Sequence, residues 1–203
     1  MQQEPTKAGL RAALSQRRLL RTPEANANLS AALLGRLLRH PLWQQARGVA
    51  AFVGVRGEPD TWGLLAATLA ERKRLWLPRI EAGEIAFVPV HDLRDLAPAK
   101  FGLLEPRPRG GQSTVRTPTP AVGIDVVLVP GLGFTSSGVR LGWGKGHYDR
   151  ALAPIRQTAA PLRVGVCFAE DLDPQGGPIP SDEHDVPMHW VATPAGVTFC
   201  KLD

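Results

Sequence analysis

The sequence predicts an α/β protein: a three-layer, open, mostly parallel sheet with helices on both faces, preceded by N-terminal helices. Three observations lead there. Short apolar runs bounded by turn formers alternate with stretches of helical periodicity from residue 48 to the end. The strongest run, VGIDVVLVPGLGF at 122–134, leads into a glycine-rich turn, the place where open α/β sheets form ligand crevices. The 203 residues suffice for one well-buried core, with 43% hydrophobic and 21% charged residues, as in ordinary globular chains. One domain is expected over 1–203, divided into a helical lead-in at 1–47 and an α/β core at 48–203.

Taken in order, a helix is expected from Lys7 to about Leu20. A second runs from about Pro23 to Arg39, where Leu29, Leu33 and Leu37 recur every four residues along one face. GVAAFVGV, 48–55, is a buried strand ending at the turn former Gly57. Residues 60–73 restore helical periodicity, with Asp60 or Thr61 as N-cap and Leu64, Leu65, Thr68 and Leu69 on one side. RLWLPRI and EIAFVPV are strands around a turn at Ala82 and Gly83. Residues 92–120, rich in Pro, Gly and Arg, make a long irregular connection, the kind that is often functional. After the strand at 122–134 come a helix beginning near Asp149, a strand at 163–168 and one or two more at 189–199.

The charge is uneven. Between Lys7 and Arg47 eight Lys or Arg face a single acid, Glu24, whereas 169–185 holds six Asp or Glu and no Lys or Arg. The basic end favours anionic ligands, and the acidic stretch either holds a cation or is solvated. No apolar run nears the roughly 18 residues that span a bilayer and no signal pattern opens the chain, so a cytoplasmic location without membrane association is expected. Cys167 and Cys200 lie in apolar stretches without partners at metal-ligand spacing and read as buried, reduced thiols.

The chemistry concentrates in RLGWGKGHYD, 140–149. Gly142, Gly144 and Gly146 stand at every second position, so successive N–H groups can line one anion-binding hollow. Arg140 and Lys145 supply full charges, and the following helix adds its positive end. The spacing excludes a Walker A loop, because Gly146 follows Lys145 where Ser or Thr would bind magnesium. It also excludes GxGxxG, because His147 stands at the third glycine. A magnesium nucleotide here would need another oxygen, and Asp149 is the nearest. On spacing alone, a tight turn with a capping Asp149 and a solvated Lys145 remains an open reading.

The longer segment PGLGFTSSGVRLGWGKGHYD, 130–149, resembles the signature of the 5-formyltetrahydrofolate cyclo-ligases, also called methenyltetrahydrofolate synthetases. KAGLR at 7–11, GEPDT at 57–61, Leu77 and Pro78, FGLLEP at 101–106 and IPSDEHD at 179–185 extend the resemblance in the same order. It implies a three-layer α/β fold and the conversion of 5-formyltetrahydrofolate to 5,10-methenyltetrahydrofolate, with ATP cleaved to ADP and phosphate and Mg2+ as the metal. Under it Lys7 and Arg11, whose i, i+4 spacing puts both charges on one helical face, contact the nucleotide. Arg140, Leu141, Gly142, Trp143, Gly144, Lys145, Gly146, His147 and Tyr148 form the ATP loop, with Lys145 and Arg140 stabilising the transferred phosphoryl group. Trp143, Gly144, Lys145, Gly146 and His147 also line the folate side, together with Val53 and the acid Glu58. Asp149 and Asp185 are the implied magnesium carboxylates.

Three residues depart from the family pattern: Thr135 replaces a common Asp, Trp143 a usual Tyr or Arg, and His147 a usual Tyr or Phe. Both rings can still stack, but His147 makes the loop titratable near neutral pH. The expected partner is 5-formyltetrahydrofolate, and a basic surface suits a polyglutamate tail. A monomer is the default. Two other readings fit the residues: a different ATP-dependent enzyme on the same scaffold, or a basic nucleic-acid-binding or regulatory protein with a vestigial nucleotide site. Against the second, no helix-turn-helix, aromatic RNA-binding motif or zinc spacing is present, and no nucleic-acid partner is expected.

Overall fold

The structure, a computed structural model, describes residues 6–99, 102–175 and 178–201. Two capped helices open it. Thr6 accepts from the N–H of Gly9 at the start of α1 (Lys7–Leu19), and Thr22 does the same for Ala25 at α2 (Pro23–Arg39), whose first position is a proline. A short α3 (Pro41–Gln45) leads to β1 (Gly48–Ala50). There follow α4 (Trp62–Ala70), the hairpin β2 (Arg74–Glu81) and β3 (Glu84–Val90), β4 (Leu96–Pro98), β5 (Leu104–Pro106), β6 (Val126–Pro130), β7 (Gly133–Phe134) and β8 (Arg140–Leu141). α5 (His147–Leu152), β9 (Leu162–Val166), β10 (Trp190–Ala192) and β11 (Val197–Phe199) complete the order.

Seven strands form one sheet in the order β11-β10-β9-β6-β1-β2-β3. β10, β9, β6, β1 and β2 run parallel, and β3 and β11 close the two edges antiparallel. Alternate residues of the central strands face opposite sides. Val49, Val126 and Leu128 pack with Leu37, Trp43 and Leu65 from α2, α3 and α4. Ala50, Val127 and Val129 pack with Leu152 and Ile155 from α5 and the turn after it. Helices therefore cover both faces, as expected.

Several boundaries differ from the expectation. The ladder of the first strand stops at Ala50, because residues 52–54 turn onto Thr61, whose hydroxyl donates to the Phe52 carbonyl and accepts from the Gly54 N–H. Thr61 thus braces a loop, and Asp60 supplies the side-chain bond to the Trp62 N–H. The run 122–134 is broken into β6 and β7 at Gly131, where a Cβ would meet the Phe134 ring at 2.8 Å. The connection 92–120 is less irregular than expected: β4 and β5 pair antiparallel, and Val115 bridges Phe87. Phe101 of the FGLLEP stretch lies outside the described residues.

The parallel half is anchored by a buried arginine on β9. Arg163 is 1% exposed and donates to the carbonyls of Pro187, Ile155, Thr158 and Arg156 at 2.8–3.2 Å. His189 accepts from its backbone N–H, and burial together with the arginine's charge pushes that imidazole down to about 4. Arg163→Met strips four carbonyls of a charged donor, so a loss of about 3 to 5 kcal/mol is expected. A thermal melt should fall by roughly 10 °C; a shift of under about 2 °C would mean that water replaces the guanidinium.

Candidate active site

The chain leaves β1 toward β2 on one side and returns through β6 on the other, so the loops after β1 and β6 diverge at a topological switch point. Every site residue singled out in the sequence lines the cleft there, whose volume is about 660 Å³.

The loop after β1 brings Glu58. Arg56 and Gly57 both take positive φ, 51° and 77°, turning the chain so that the Glu58 carboxylate folds back under it. One oxygen accepts from the Val55 N–H at 3.2 Å and the other from the Trp143 indole at 3.1 Å. Only 6% exposed, the carboxyl is pushed above the usual range by burial, and the hydrogen bonds from Trp143 and Val55 and the charges of Arg18 and Arg56 oppose this. Val53 stands beside it, 8% exposed.

The glycine-rich loop is held at both ends. Leu132 donates to the Leu141 carbonyl at 2.7 Å, and β7 pairs with β8. Gly144 and Gly146 take φ of 89° and 64°, which a residue with a Cβ resists. The Arg11 Nε donates to the Gly142 carbonyl at 2.9 Å, so the guanidinium lies across the loop, and Arg150 donates to the Lys145 carbonyl at 3.0 Å. Lys145 itself is exposed. Because α5 has six residues, its dipole adds little, and the positive field comes from side chains.

The charges are cross-paired. Arg140, 8% exposed, places one nitrogen 2.8 Å from both oxygens of Asp149. Lys7 lies 2.6 Å from Asp182 and 2.7 Å from Asp185. Burial pulls the Lys7 ammonium down, but the hydrogen bonds and attraction of the two carboxylates outweigh it, and its net shift is upward. Asp182 is shifted down, chiefly by the Lys7 hydrogen bond.

His147 is less of a switch than its sequence position implies. Burial and the neighbouring Arg150 charge lower its pKa, and Arg150 donates to Nδ1 at 3.2 Å, which places the imidazole proton on Nε2. Thr135 acts locally, its hydroxyl accepting from the Val139 N–H and pairing with Ser137 to close the 135–139 turn. The Tyr148 hydroxyl is buried, and burial drives its pKa strongly upward.

Sequence reasoning missed Asp182, Glu105, Arg150 and Arg156, all lining the same cleft. The first two sit inside the IPSDEHD and FGLLEP stretches and could have been found there. Arg150 and Arg156 carry no motif. Pro78, Ile80, Ile85 and Leu104 add an apolar wall, contributed by the β2–β3 hairpin and β5.

An open α/β sheet with a basic glycine-rich loop at its switch point, in a cleft that also holds apolar residues and one buried acid, has the layout of an α/β enzyme that binds its ligands at the switch point. The chain belongs to the 5-formyltetrahydrofolate cyclo-ligase family, whose model matches residues 3–194. The 5-formyltetrahydrofolate cyclo-ligase of Mycolicibacterium smegmatis is 36% identical over 196 residues, covering 93% of this chain and 94% of that one. That of Escherichia coli K12 is 30% identical over 187 residues, covering 91% and 98%. The NMR structure of Aquifex aeolicus 5,10-methenyltetrahydrofolate synthetase superposes with a TM-score of 0.79 at 29% identity, covering 97% and 94%. Among the described residues no helix is long and apolar enough to cross a membrane.

Proposed function

We propose that this chain converts 5-formyltetrahydrofolate to 5,10-methenyltetrahydrofolate and cleaves ATP to ADP and phosphate, acting as one catalytic domain over 1–203. The observation that carries this reading is that one cleft is lined both by the cations Lys7, Arg11, Arg140 and Lys145 and by the buried acid Glu58 with the apolar Pro78, Ile80, Ile85 and Leu104. A triphosphate suits the cations and a pterin suits the acid and the apolar residues.

In this reading the formyl oxygen attacks the γ-phosphorus and ADP leaves, forming an N5 iminium phosphate. N10 then attacks the activated carbon, phosphate departs with its C–O bond, and the N10 proton is lost. Little covalent work falls to the protein. Glu58 accepts from donors of the pterin ring, while Trp143 and His147 offer flat faces to it. Arg11 and Lys7 draw the phosphate chain along α1. Lys145 and Arg140 offset the charge that spreads over the transferred phosphoryl group.

Asp149 and Asp185 fit a magnesium ion in kind: both bring carboxylate oxygens, the donors this hard cation takes, to the same cleft. These two carboxylates would hold the ion, and magnesium would supply charge neutralisation for the phosphoryl transfer. Both carboxylates are paired with Arg140 and Lys7, the cations assigned to phosphate, so holding the ion would require Asp149 and Asp185 to give up these partners.

The test is the near-ultraviolet absorbance of the methenyl product when the purified protein meets 5-formyltetrahydrofolate, ATP and magnesium. Growth of that band, dependent on all three, is expected. A folded protein that gives no band would overturn the assignment.

A further inference from the structure

Three arginines at and just beyond the far end of α1 line none of the cleft, yet their contacts converge on the loops that build it. Arg18 is 3% exposed, and its Nη2 donates to the carbonyls of Gly131 at 2.6 Å and Leu132 at 3.2 Å, the residues that follow β6. The same nitrogen lies 3.2 Å from Asp171, which is fully buried in the turn after β9 and also accepts from Arg17 at 2.8 Å. Arg21 donates to the Gly57 carbonyl at 2.9 Å, pairs with Glu170 and stacks 4.1 Å from the Phe168 ring. Gly57 takes positive φ and packs so closely on α1 that an added Cβ would lie 3.1 Å from the Arg18 Cβ. The end of one helix thus grips the loops after three parallel strands.

Two of the gripped loops, those after β1 and β6, lead directly into the site. Gly57 precedes Glu58. Leu132 donates to the carbonyl of Leu141, the second residue of the phosphate loop stretch. The first turn of α1 carries Lys7, and Arg11 lies one turn further on, so the helix that bears nucleotide contacts at one end holds the pterin acid's loop at the other. A buried ion pair is a poor source of stability, because desolvation offsets its attraction. Nε and Nη1 of Arg18 also find no acceptor among the described residues, which adds to that cost. What the arrangement supplies is placement.

We propose that Arg18 and Asp171, with Arg21, form a positioning clamp that sets the Glu58 loop and the phosphate loop in register with each other along α1. The clamp rests on the site reading above, and its test is arranged so that the two can fail separately. In Arg18→Met/Asp171→Leu both charges leave together, a replacement that often preserves stability. KM for 5-formyltetrahydrofolate and KM for ATP should then each rise by at least about tenfold, since small misplacements near reacting groups are costly. A purely structural role would lower the amount of active enzyme, so kcat would drop with both KM values unmoved, and that result in a folded double variant overturns the clamp.

If the double variant does not fold, Arg21→Gln decides. That substitution removes the Gly57 contact at the partly exposed edge of the cluster, and KM for 5-formyltetrahydrofolate should rise while the melting temperature holds. An unchanged KM there rejects the clamp. Glu58→Gln runs in parallel: if it raises KM for the folate while the clamp variants do not, the clamp is wrong and the site reading stands. If Glu58→Gln also leaves KM unchanged, the site reading is wrong and the clamp goes with it.

Discussion

Lys145→Ala is expected to lower kcat by about 10²- to 10³-fold, the usual consequence of removing one charge that meets a developing anion, with KM for 5-formyltetrahydrofolate within about threefold of wild type. The structure makes this substitution unusually clean. Arg150 holds the loop through the Lys145 carbonyl, which alanine keeps, and the positive φ values fall on Gly144 and Gly146 to either side. The loop path survives and only the ammonium is lost. Glu58 takes its hydrogen bonds from Val55 and Trp143, neither of which involves the Lys145 side chain, so the proposed folate contact is left in place. Steady-state appearance of the methenyl band checks both values. A kcat within about threefold of wild type would make Lys145 a solvated charge and leave the phosphoryl group to Arg140.

Glu58→Gln is expected to raise KM for 5-formyltetrahydrofolate by about 10- to 100-fold, the range set by losing one or two hydrogen bonds to a charged acceptor, with KM for ATP nearly unchanged. Glutamine keeps the shape but has one acceptor oxygen where the carboxylate has two, and its amide must face either the Val55 or the Trp143 N–H. The pH dependence follows from burial, which raises the Glu58 pKa above the usual carboxylate range. As pH falls through that raised value the carboxyl takes a proton and loses acceptor strength, so KM in the wild type should climb on the acid side and flatten above it. The glutamine variant should show a high KM without that limb. Stability runs the other way. A group whose folded pKa is raised contributes stability that is fully present below its unfolded pKa and is lost as pH rises through its folded value. Ionised Glu58 is therefore a cost that the free protein carries at neutral pH, and the limb in KM should coincide with a gain in the free protein's melting temperature.

The element order was legible because helical and strand periodicities are local. Leu33 and Leu37 repeat on the buried face of α2, and the 84–90 strand agrees with the structure residue for residue. What misled was the ends of apolar runs. Residues 51–55 and 131–132 are as apolar as a strand, yet they lie past the sheet, where the chain bends into the site. Apolar composition reports burial and says nothing of which backbone partner is present. The glycine-rich loop was equally legible, because its signal is contiguous. Arg150 and Arg156 were not, because an arginine shortly beyond a motif looks the same whether it braces the loop or faces water.

The charge pattern marks the boundary most sharply. The sequence alone shows a basic N-terminal stretch and an acidic stretch at 169–185, and read separately they suggested an anion site and a cation site or solvated surface. In the folded chain the two stretches meet along α1: Lys7 on Asp182 and Asp185, Arg17 and Arg18 on Asp171, and Arg21 on Glu170. Their partners lie about 150 to 180 residues apart, beyond the reach of any local pattern. Sequence by itself determined the order of the longer helices and main-sheet strands, the glycine-rich loop and the family, since each is written in neighbouring residues. Which charge faces which carboxylate was decided by the sheet, because electrostatic pairing depends on distance in space, and only the crossovers through β6 and β9 bring those ends together.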